Sequence, residues 1–340
     1  MFLNNQWYIA AWSHEIGRGL LKRRIAGEPI VFYRTEAGRA VAFEDRCPHR
    51  HAPLSMGKLI GDKLECGYHG IQFDSSGNCV HVPGQEVPKG ASVRSYRVVE
   101  KWGWAWIWLG VSERADETLL PEDFRWTVEP GWRSLGDTLH VKAHYQLLVD
   151  NLLDLSHEAF LHTNTIGSRA VADVPCKTSS QGNCVRVTRI MNDCAPPPLF
   201  VKARGFTTNI DRHQDIKFAP PCYVHIDVKA FPAGTHDLSN ALQWHVLNAL
   251  TPETENSTHY FWAMPRFFSQ NDPDMDAMLH GAVTKTFHED VWILEAQQQA
   301  LIDRSLDYRT IATEADAGPT RARGIINRLI REEQAKAAQT

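Results

Sequence analysis

Hydrophobic and polar positions change rhythm near residue 110. Up to there, apolar residues come in short runs separated by turn residues. Ile30-Val31-Phe32-Tyr33 follows Gly27-Glu28-Pro29, and Ala40-Val41-Ala42-Phe43 follows Thr35-Glu36-Ala37-Gly38-Arg39. Gly70-Ile71-Gln72-Phe73 precedes Asp74-Ser75-Ser76-Gly77-Asn78. Short apolar runs bounded by Gly, Pro, Asn and Asp predict strands joined by tight turns. Val93 to Val99 and Trp104 to Leu109 continue the pattern, so residues 1–112 are expected to form an all-β domain. The stretch from Gly110-Val111-Ser112-Glu113 to Pro121-Glu122, rich in acids and containing proline, is expected to be a linker.

Residues 113–340 mix two periods. His140 to Ala143 predicts a strand. Tyr145 to about His157 predicts a helix with Leu148, Leu152 and Leu155 on one side. Strands of an antiparallel sheet are expected near 184–191, 203–209, 222–231, 242–250 and 258–264. Asp272-Pro273-Asp274 is a helix start signal, and an amphipathic helix is predicted from Met275 to about Asp303. A terminal helix is predicted over 321–337. The fold class is α+β, an all-β domain followed by a mixed one. A length of 340 residues is enough for both.

Composition narrows the function classes. A net charge of −4 gives no basic surface for nucleic acid or anionic membrane. No long uninterrupted apolar window predicts a membrane span, and no signal peptide is evident near Met1. The seven cysteines are odd in number. Cys79, Cys176, Cys184, Cys194 and Cys222 show no pairing logic, so free thiols in a reducing cytoplasm are expected.

Two cysteines are different. Cys47-Pro48-His49 is followed after sixteen residues by Cys66-Gly67-Tyr68-His69. Two thiols and two imidazoles suit a zinc site or a Rieske [2Fe–2S] centre. Common Cys2His2 zinc folds place Cys with Cys and His with His. Here each pair is mixed, so one iron can take both cysteines and the other both histidines. The spacing therefore favours the Rieske centre over zinc.

A second polar cluster interrupts the apolar segment after residue 144. It holds Asp150, Asn151, Asp154, His157 and His162. His157 and His162 are about 140° apart on an ideal helix. They could share a metal only if the helix ends or bulges between them, near Ala159-Phe160. Alone this is a weak signal. A Rieske cluster, however, passes electrons onward and needs an acceptor. A mononuclear iron held by two histidines and a carboxylate leaves positions open for O2. Asp290 lies among Thr286, Phe287, Ile293 and Leu294 of the long helix, an unfavourable place for a carboxylate that is not a ligand. Glu289 and Glu295 are expected to be solvated.

Taken together, Cys47-Pro48-His49-Arg50, Cys66-Gly67-Tyr68-His69-Gly70 and the run from Asp150-Asn151 to Leu161-His162 resemble Rieske non-heme iron oxygenases. Within these, the chain resembles the branch of vanillate O-demethylase, dicamba O-demethylase and toluene-sulfonate methyl-monooxygenase over nearly its full length. The resemblance implies that Cys47, His49, Cys66 and His69 bind the cluster and that His157, His162 and Asp290 bind the iron. It implies that Asp154 bridges the two centres across a subunit boundary, with Asn151 near the iron. It implies a helix-grip catalytic domain and a homotrimer. O2 is the implied co-substrate.

The implied activity is oxidation of a methyl group of a small aromatic acid, foremost O-demethylation with release of formaldehyde. Hydroxylation of an aryl methyl, an N-methyl or a ring carbon is the enzymatic alternative, and a Rieske electron-transfer protein the non-enzymatic one. Electron-transfer proteins of that type carry an extra Cys beside each ligand pair, whereas His51 and Gly67 stand near those positions here. No Gly-x-Gly-x-x-Gly fingerprint follows a strand, so NAD(P)H is expected to act through a separate flavin/[2Fe–2S] reductase. Lys202, Arg204, Arg212 and Arg266 are candidate partners for a substrate carboxylate, each otherwise a surface cation. His245 and Asn248 are candidate substrate contacts just before Thr251-Pro252.

Overall fold

The computed structural model describes residues 1–235, 241–303 and 310–338. The chain forms two compact units. One comprises Met1–Leu120 with Thr251–Thr254, and the other Pro121–Leu250 with Glu255–Thr340.

The first unit is all β apart from short 3-10 turns. Strands β1 (Gln6–Trp12), β10 (Val98–Lys101) and β11 (Trp104–Leu109) form one sheet in the order β1-β11-β10. A second sheet runs β2 (Leu21–Ile25), β3 (Glu28–Arg34), β4 (Ala40–Glu44), β9 (Ser95–Tyr96). A third runs β5 (Lys58–Ile60), β6 (Lys63–Glu65), β7 (Gln72–Phe73), β8 (Cys79–His81). Val31, Tyr33, Phe43, Leu64 and Phe73 share one buried cluster with Cys47 and Cys66. The hydrophobic core of this unit therefore reaches the bases of both ligand loops. Thr251–Thr254 are held by backbone contacts here: Ala26 N donates to the Pro252 carbonyl at 2.7 Å and Gly27 N to that of Glu253 at 3.0 Å.

The second unit is built on a seven-stranded antiparallel sheet. Its strands are β12 (Arg133–Val141), β13 (Lys177–Gln181), β14 (Cys184–Cys194), β15 (Ile210–Ala219), β16 (Tyr223–Pro232), β17 (Leu242–Thr254) and β18 (Ser257–Arg266). Their order is β12-β18-β17-β16-β15-β14-β13. Helix α1 spans Tyr145–Leu153, α2 Glu158–Leu161, α3 Arg169–Asp173, α4 Pro198–Arg204, α5 Pro273–Asp303 and α6 Ala317–Ala337. The buried stripe of α5 is Leu279, Val283, Thr286, Phe287, Asp290, Leu294 and Gln298. Phe287 packs against Tyr260 and Trp262 of β18, each with ring centroids 5.2 Å away.

Two local expectations change. The segment 203–209 is not a strand. Pro198 opens helix α4, Gly205 closes it in the left-handed conformation, and the strand begins only at Ile210. Helix α1 ends at Leu153, before His157. Asp154 is extended (φ −123°, ψ 92°) and starts a 3-10 turn over Leu155–His157. The break thus precedes both His157 and His162 and does not fall near Ala159-Phe160. Ile293 leaves the buried stripe and is 41% exposed.

Two candidate metal centres and an apolar cavity

The two Cys/His loops of the first unit share one backbone design. His51 N donates to the Cys47 carbonyl at 2.8 Å, and Gly70 N donates to that of Cys66 at 3.0 Å. His51 (φ 60°) and Gly70 (φ 69°) both take the left-handed conformation that closes such a turn. Close approach fixes the pair of loops. A Cβ on Gly67 would lie 2.6 Å from the Met56 carbonyl oxygen, so only glycine fits there. Cys47 and Cys66 are buried, whereas His49 and His69 are exposed with ring centroids 4.7 Å apart. Burial, with the Cys66 thiol beside it, pushes the Cys47 thiol up to about 11. Desolvation in an apolar base has this effect on a thiol. The buried thiols of Cys47 and Cys66 and the exposed imidazoles of His49 and His69 are the donor set that would hold a Rieske [2Fe–2S] cluster.

The second centre joins the 155–162 turn to α5. His162 Nε2 lies 3.1 Å from Asp290 Oδ1, and His157 Nε2 lies 3.4 Å from the same oxygen. Among the described residues, His157, His162 and Asp290 form a group whose ligand atoms all lie within 4.8 Å of one another. Each remaining imidazole nitrogen is engaged. His157 Nδ1 donates to the Asp154 carbonyl at 2.7 Å, and His162 Nδ1 donates to Glu289 Oε2 at 2.8 Å. Both Nε2 atoms are thereby directed at one point, as second-sphere hydrogen bonds do at metal sites. Burial pulls the Asp290 carboxyl up, but the two imidazoles outweigh it and hold it down to about 2. Asn151 Nδ2 donates to Asp290 Oδ1 at 3.1 Å. An ionised, buried carboxylate with two oriented imidazoles fits a divalent iron with open positions.

The triad opens onto a cavity walled by the even-numbered face of the sheet and by α5. Ile226, Val228, Trp244 and Val246 line it from the sheet, and Val283 and Phe287 from the helix. Arg212 and Gln214 line it too, with Glu158. Of the cations proposed from sequence, only Arg212 is there. It is 1% exposed, not a surface cation, and pairs with Glu158 at 2.7 Å. Arg266 is also fully buried, paired with Asp276. Arg204 ends α4 and lies 5.5 Å over the Phe268 ring, away from the cavity lining.

The other two candidate substrate contacts sit elsewhere as well. His245 follows Trp244 and so faces the opposite side of the sheet. There it stacks on Trp126 and Trp132, with centroids at 4.3 and 4.8 Å. Asn248 shares its parity with Trp244 and Val246, but its amide is consumed. Nδ2 donates to the Val224 carbonyl at 3.0 Å, and Oδ1 accepts from the Tyr260 hydroxyl at 2.8 Å. Asp154 directs its carboxylate to Ser156, with Oδ1 accepting from the backbone N at 2.9 Å and from Oγ at 2.6 Å. Glu289, expected in solvent, is instead the partner of His162. Its place next to Asp290 was the one signal available for it.

This architecture defines an oxygenase-type pairing of a Rieske loop domain with a His/His/Asp domain. The family models agree: the Rieske [2Fe-2S] domain matches residues 6–97, and the vanillate O-demethylase oxygenase C-terminal domain matches residues 141–332. The chain belongs to the vanillate O-demethylase branch of the Rieske oxygenases. It is 35% identical to a vanillate O-demethylase oxygenase subunit of Pseudomonas sp. (strain HR199 / DSM 7063), covering 98% of this chain and 96% of the relative. It is likewise 35% identical to the iron-sulfur subunit of a toluene-4-sulfonate monooxygenase system from Comamonas testosteroni, covering 98% of each. Crystal structures of dicamba monooxygenase superpose with TM-scores of 0.93 (bound to 3,6-dichlorosalicylic acid; 33% identity) and 0.84 (with non-heme iron and dicamba; 32% identity). They cover 98% and 100% of this chain, and 99% of the dicamba monooxygenase chain in each case. Among the described residues no helix is long and apolar enough to cross a membrane.

Proposed function

We propose that this chain is the oxygenase component of a multicomponent monooxygenase that oxidises the methyl group of a small aromatic substrate, in the first place by O-demethylation. The single observation that carries this reading is the His157/His162/Asp290 triad opening onto an apolar cavity beside α5. Residues 1–112 would hold the [2Fe–2S] cluster through Cys47, His49, Cys66 and His69, and residues 113–340 the iron through the triad. When bound, the iron supplies O2 activation with electrons delivered by way of the cluster.

The chain's own groups prepare the site. Asn151 and the imidazoles keep Asp290 ionised. The Asp154 carbonyl and Glu289 fix the histidine tautomers. The apolar walls hold an aromatic ring and exclude water from the methyl group. Hydroxylation of a methoxy carbon gives a hemiacetal, whose C–O bond breaks to leave a phenol and formaldehyde. The other oxygen atom leaves as water with the supplied electrons and protons.

A separate NAD(P)H-dependent flavin/[2Fe–2S] reductase is the proposed electron donor, and Asp154 the proposed link between the centres. A homotrimer is proposed from the family, and a cytoplasmic location from cysteines whose spacing shows no disulfide pairing logic. Hydroxylation of an aryl methyl group is the second reading, favoured by the equal identity to the toluene-4-sulfonate relative. The test is product analysis with a matching reductase. Formaldehyde released in step with substrate from methoxybenzoates and methoxyphenols supports demethylation. Benzylic alcohol from methyl arenes, without formaldehyde from any methoxy compound, supports the second reading.

A further inference from the structure

The carboxylate that separates the two metal-facing histidines is tied to the sheet. Glu158 directly follows His157 and is 2% exposed. Its Oε2 accepts from Arg212 Nη2 at 2.7 Å, and its Oε1 accepts from Gln214 Nε2 at 2.9 Å. Arg212 and Gln214 are alternate residues of β15, so they project from one face. The other end of the Arg212 fork, Nη1, donates to the Ile166 carbonyl at 3.1 Å. One guanidinium therefore grips both ends of the loop from Glu158 to Ile166, and His162 lies within that loop. Its plane is fixed from below by Phe200, 4.8 Å from the ring centroid.

The loop leaves little room for an alternative. A Cβ on Gly167 would stand 2.2 Å from the Glu158 carbonyl oxygen and 2.8 Å from that of His162. Gly167 N and Thr165 N both donate to the His162 carbonyl, at 2.9 and 3.0 Å. The backbone around His162 is thus folded onto itself and then locked to β15. As a device for stability alone, the arrangement is poor. It desolvates two charges, and it leaves Arg212 Nε and Gln214 Oε1 buried with no hydrogen-bond partner. An apolar pair of similar volume usually serves a fold as well or better.

We infer that Arg212 and Gln214 are positioning residues: they clamp the Glu158–Ile166 loop to the sheet and so set the separation of His157 from His162 at the metal. The inference rests on the reading of the triad as an iron site.

The experiment measures Fe(II) binding by anaerobic titration calorimetry on the full chain, stripped of its mononuclear iron by mild chelation. Melting temperature is followed alongside, and the visible absorption of the [2Fe–2S] cluster reports that the other centre is intact. Arg212→Met is expected to lower the melting temperature and to weaken Fe(II) binding by about 10–100-fold, the usual range for lost second-sphere support. The double variant Arg212→Met/Glu158→Leu removes the ion pair entirely. It is expected to regain the wild-type melting temperature while Fe(II) binding stays at least about tenfold weak. Gln214→Leu, the mildest change, is expected to weaken Fe(II) binding several-fold with a smaller fall in melting temperature than Arg212→Met. Wild-type Fe(II) affinity in either the double variant or Gln214→Leu overturns the clamp. Failure of the wild-type chain itself to bind Fe(II) overturns the iron reading, and the clamp with it.

Discussion

His162 donates through Nδ1 to Glu289 Oε2 at 2.8 Å, while its Nε2 stands 3.1 Å from Asp290 Oδ1. Consecutive residues of α5 therefore meet the two nitrogens of one imidazole, and the hydrogen bond at Nδ1 leaves Nε2 unprotonated for a metal. Glu289→Ala is expected to raise the Fe(II) dissociation constant by about 10–100-fold. Glu289→Gln, which keeps an acceptor oxygen, should recover most of that loss. Equal affinity in the alanine variant and the wild type would show that the bond does not orient the ligand.

Asp154 offers a cleaner separation of structure from electron transfer. Its Oδ1 caps Ser156, a task that asparagine performs equally well. Asp154→Asn is therefore expected to keep the fold, the cluster and the iron. If Asp154 is the proposed link, its loss slows reductase-driven turnover by at least about tenfold. Single-turnover mixing with O2 and substrate checks this, because the reduced cluster should persist in the variant. Asp154→Ala should in addition lose about 1 kcal/mol of stability through the missing cap. Full turnover by the asparagine variant would rule out the bridging role.

The histidine packed against both Trp126 and Trp132 gives a pH prediction. Burial, then the neighbouring His225, push His245 down to about 4. Asp227 and Asp123 pull the other way, and Lys229 reinforces the depression. A histidine held neutral in the fold binds fewer protons than the unfolded chain between its two pKa values. Its contribution to stability is then full above pH ~6.5 and is lost as the pH falls towards 4. The whole effect is on the order of 3 kcal/mol. His245→Phe should flatten the acid side of the melting-temperature profile between those limits and leave turnover unaltered near neutrality. An unchanged acid slope would contradict a neutral buried imidazole.

The cavity wall makes a steric prediction. Ile226 faces the ring site from β16. Ile226→Ala should cost about 2–5 kcal/mol in stability, with most of the loss appearing as cavity. The enlarged site should shift kcat/KM towards ring-substituted or bicyclic methoxy arenes while Fe(II) binding holds. An unchanged substrate ranking would place the ring elsewhere.

Much of this was legible in the sequence because ligand chemistry at the cluster is local. Cys47-Pro48-His49 and Cys66-Gly67-Tyr68-His69 carry their geometry within each loop. Asp290 was legible because a carboxylate inside the apolar stripe of a helix is costly to bury unless a metal or a cation holds it. The helix break was harder: nothing in Leu153-Asp154-Leu155 forbids a helix, and the side chain of Asp154 stops it by capping Ser156. The roles of Glu289, Glu158 and Arg212 were hidden because an ion pair's burial is decided by elements far apart in the chain. The face on which His245 lies is legible in the sequence. Strand alternation puts His245 and Asn248 on opposite faces, so both could not have met one substrate. The segment 203–209 holds no proline of its own, and Pro198, which opens the helix ending at Arg204, lies upstream of it.

Metal analysis of the purified, anaerobically iron-loaded chain tests the central claim most directly. The account predicts about three irons and about two acid-labile sulfides per chain, with a reduced Rieske EPR signal. In His157→Ala the iron should fall by about one, with sulfide and signal unchanged. Zinc in place of iron, or an iron content that His157→Ala does not alter, would contradict it.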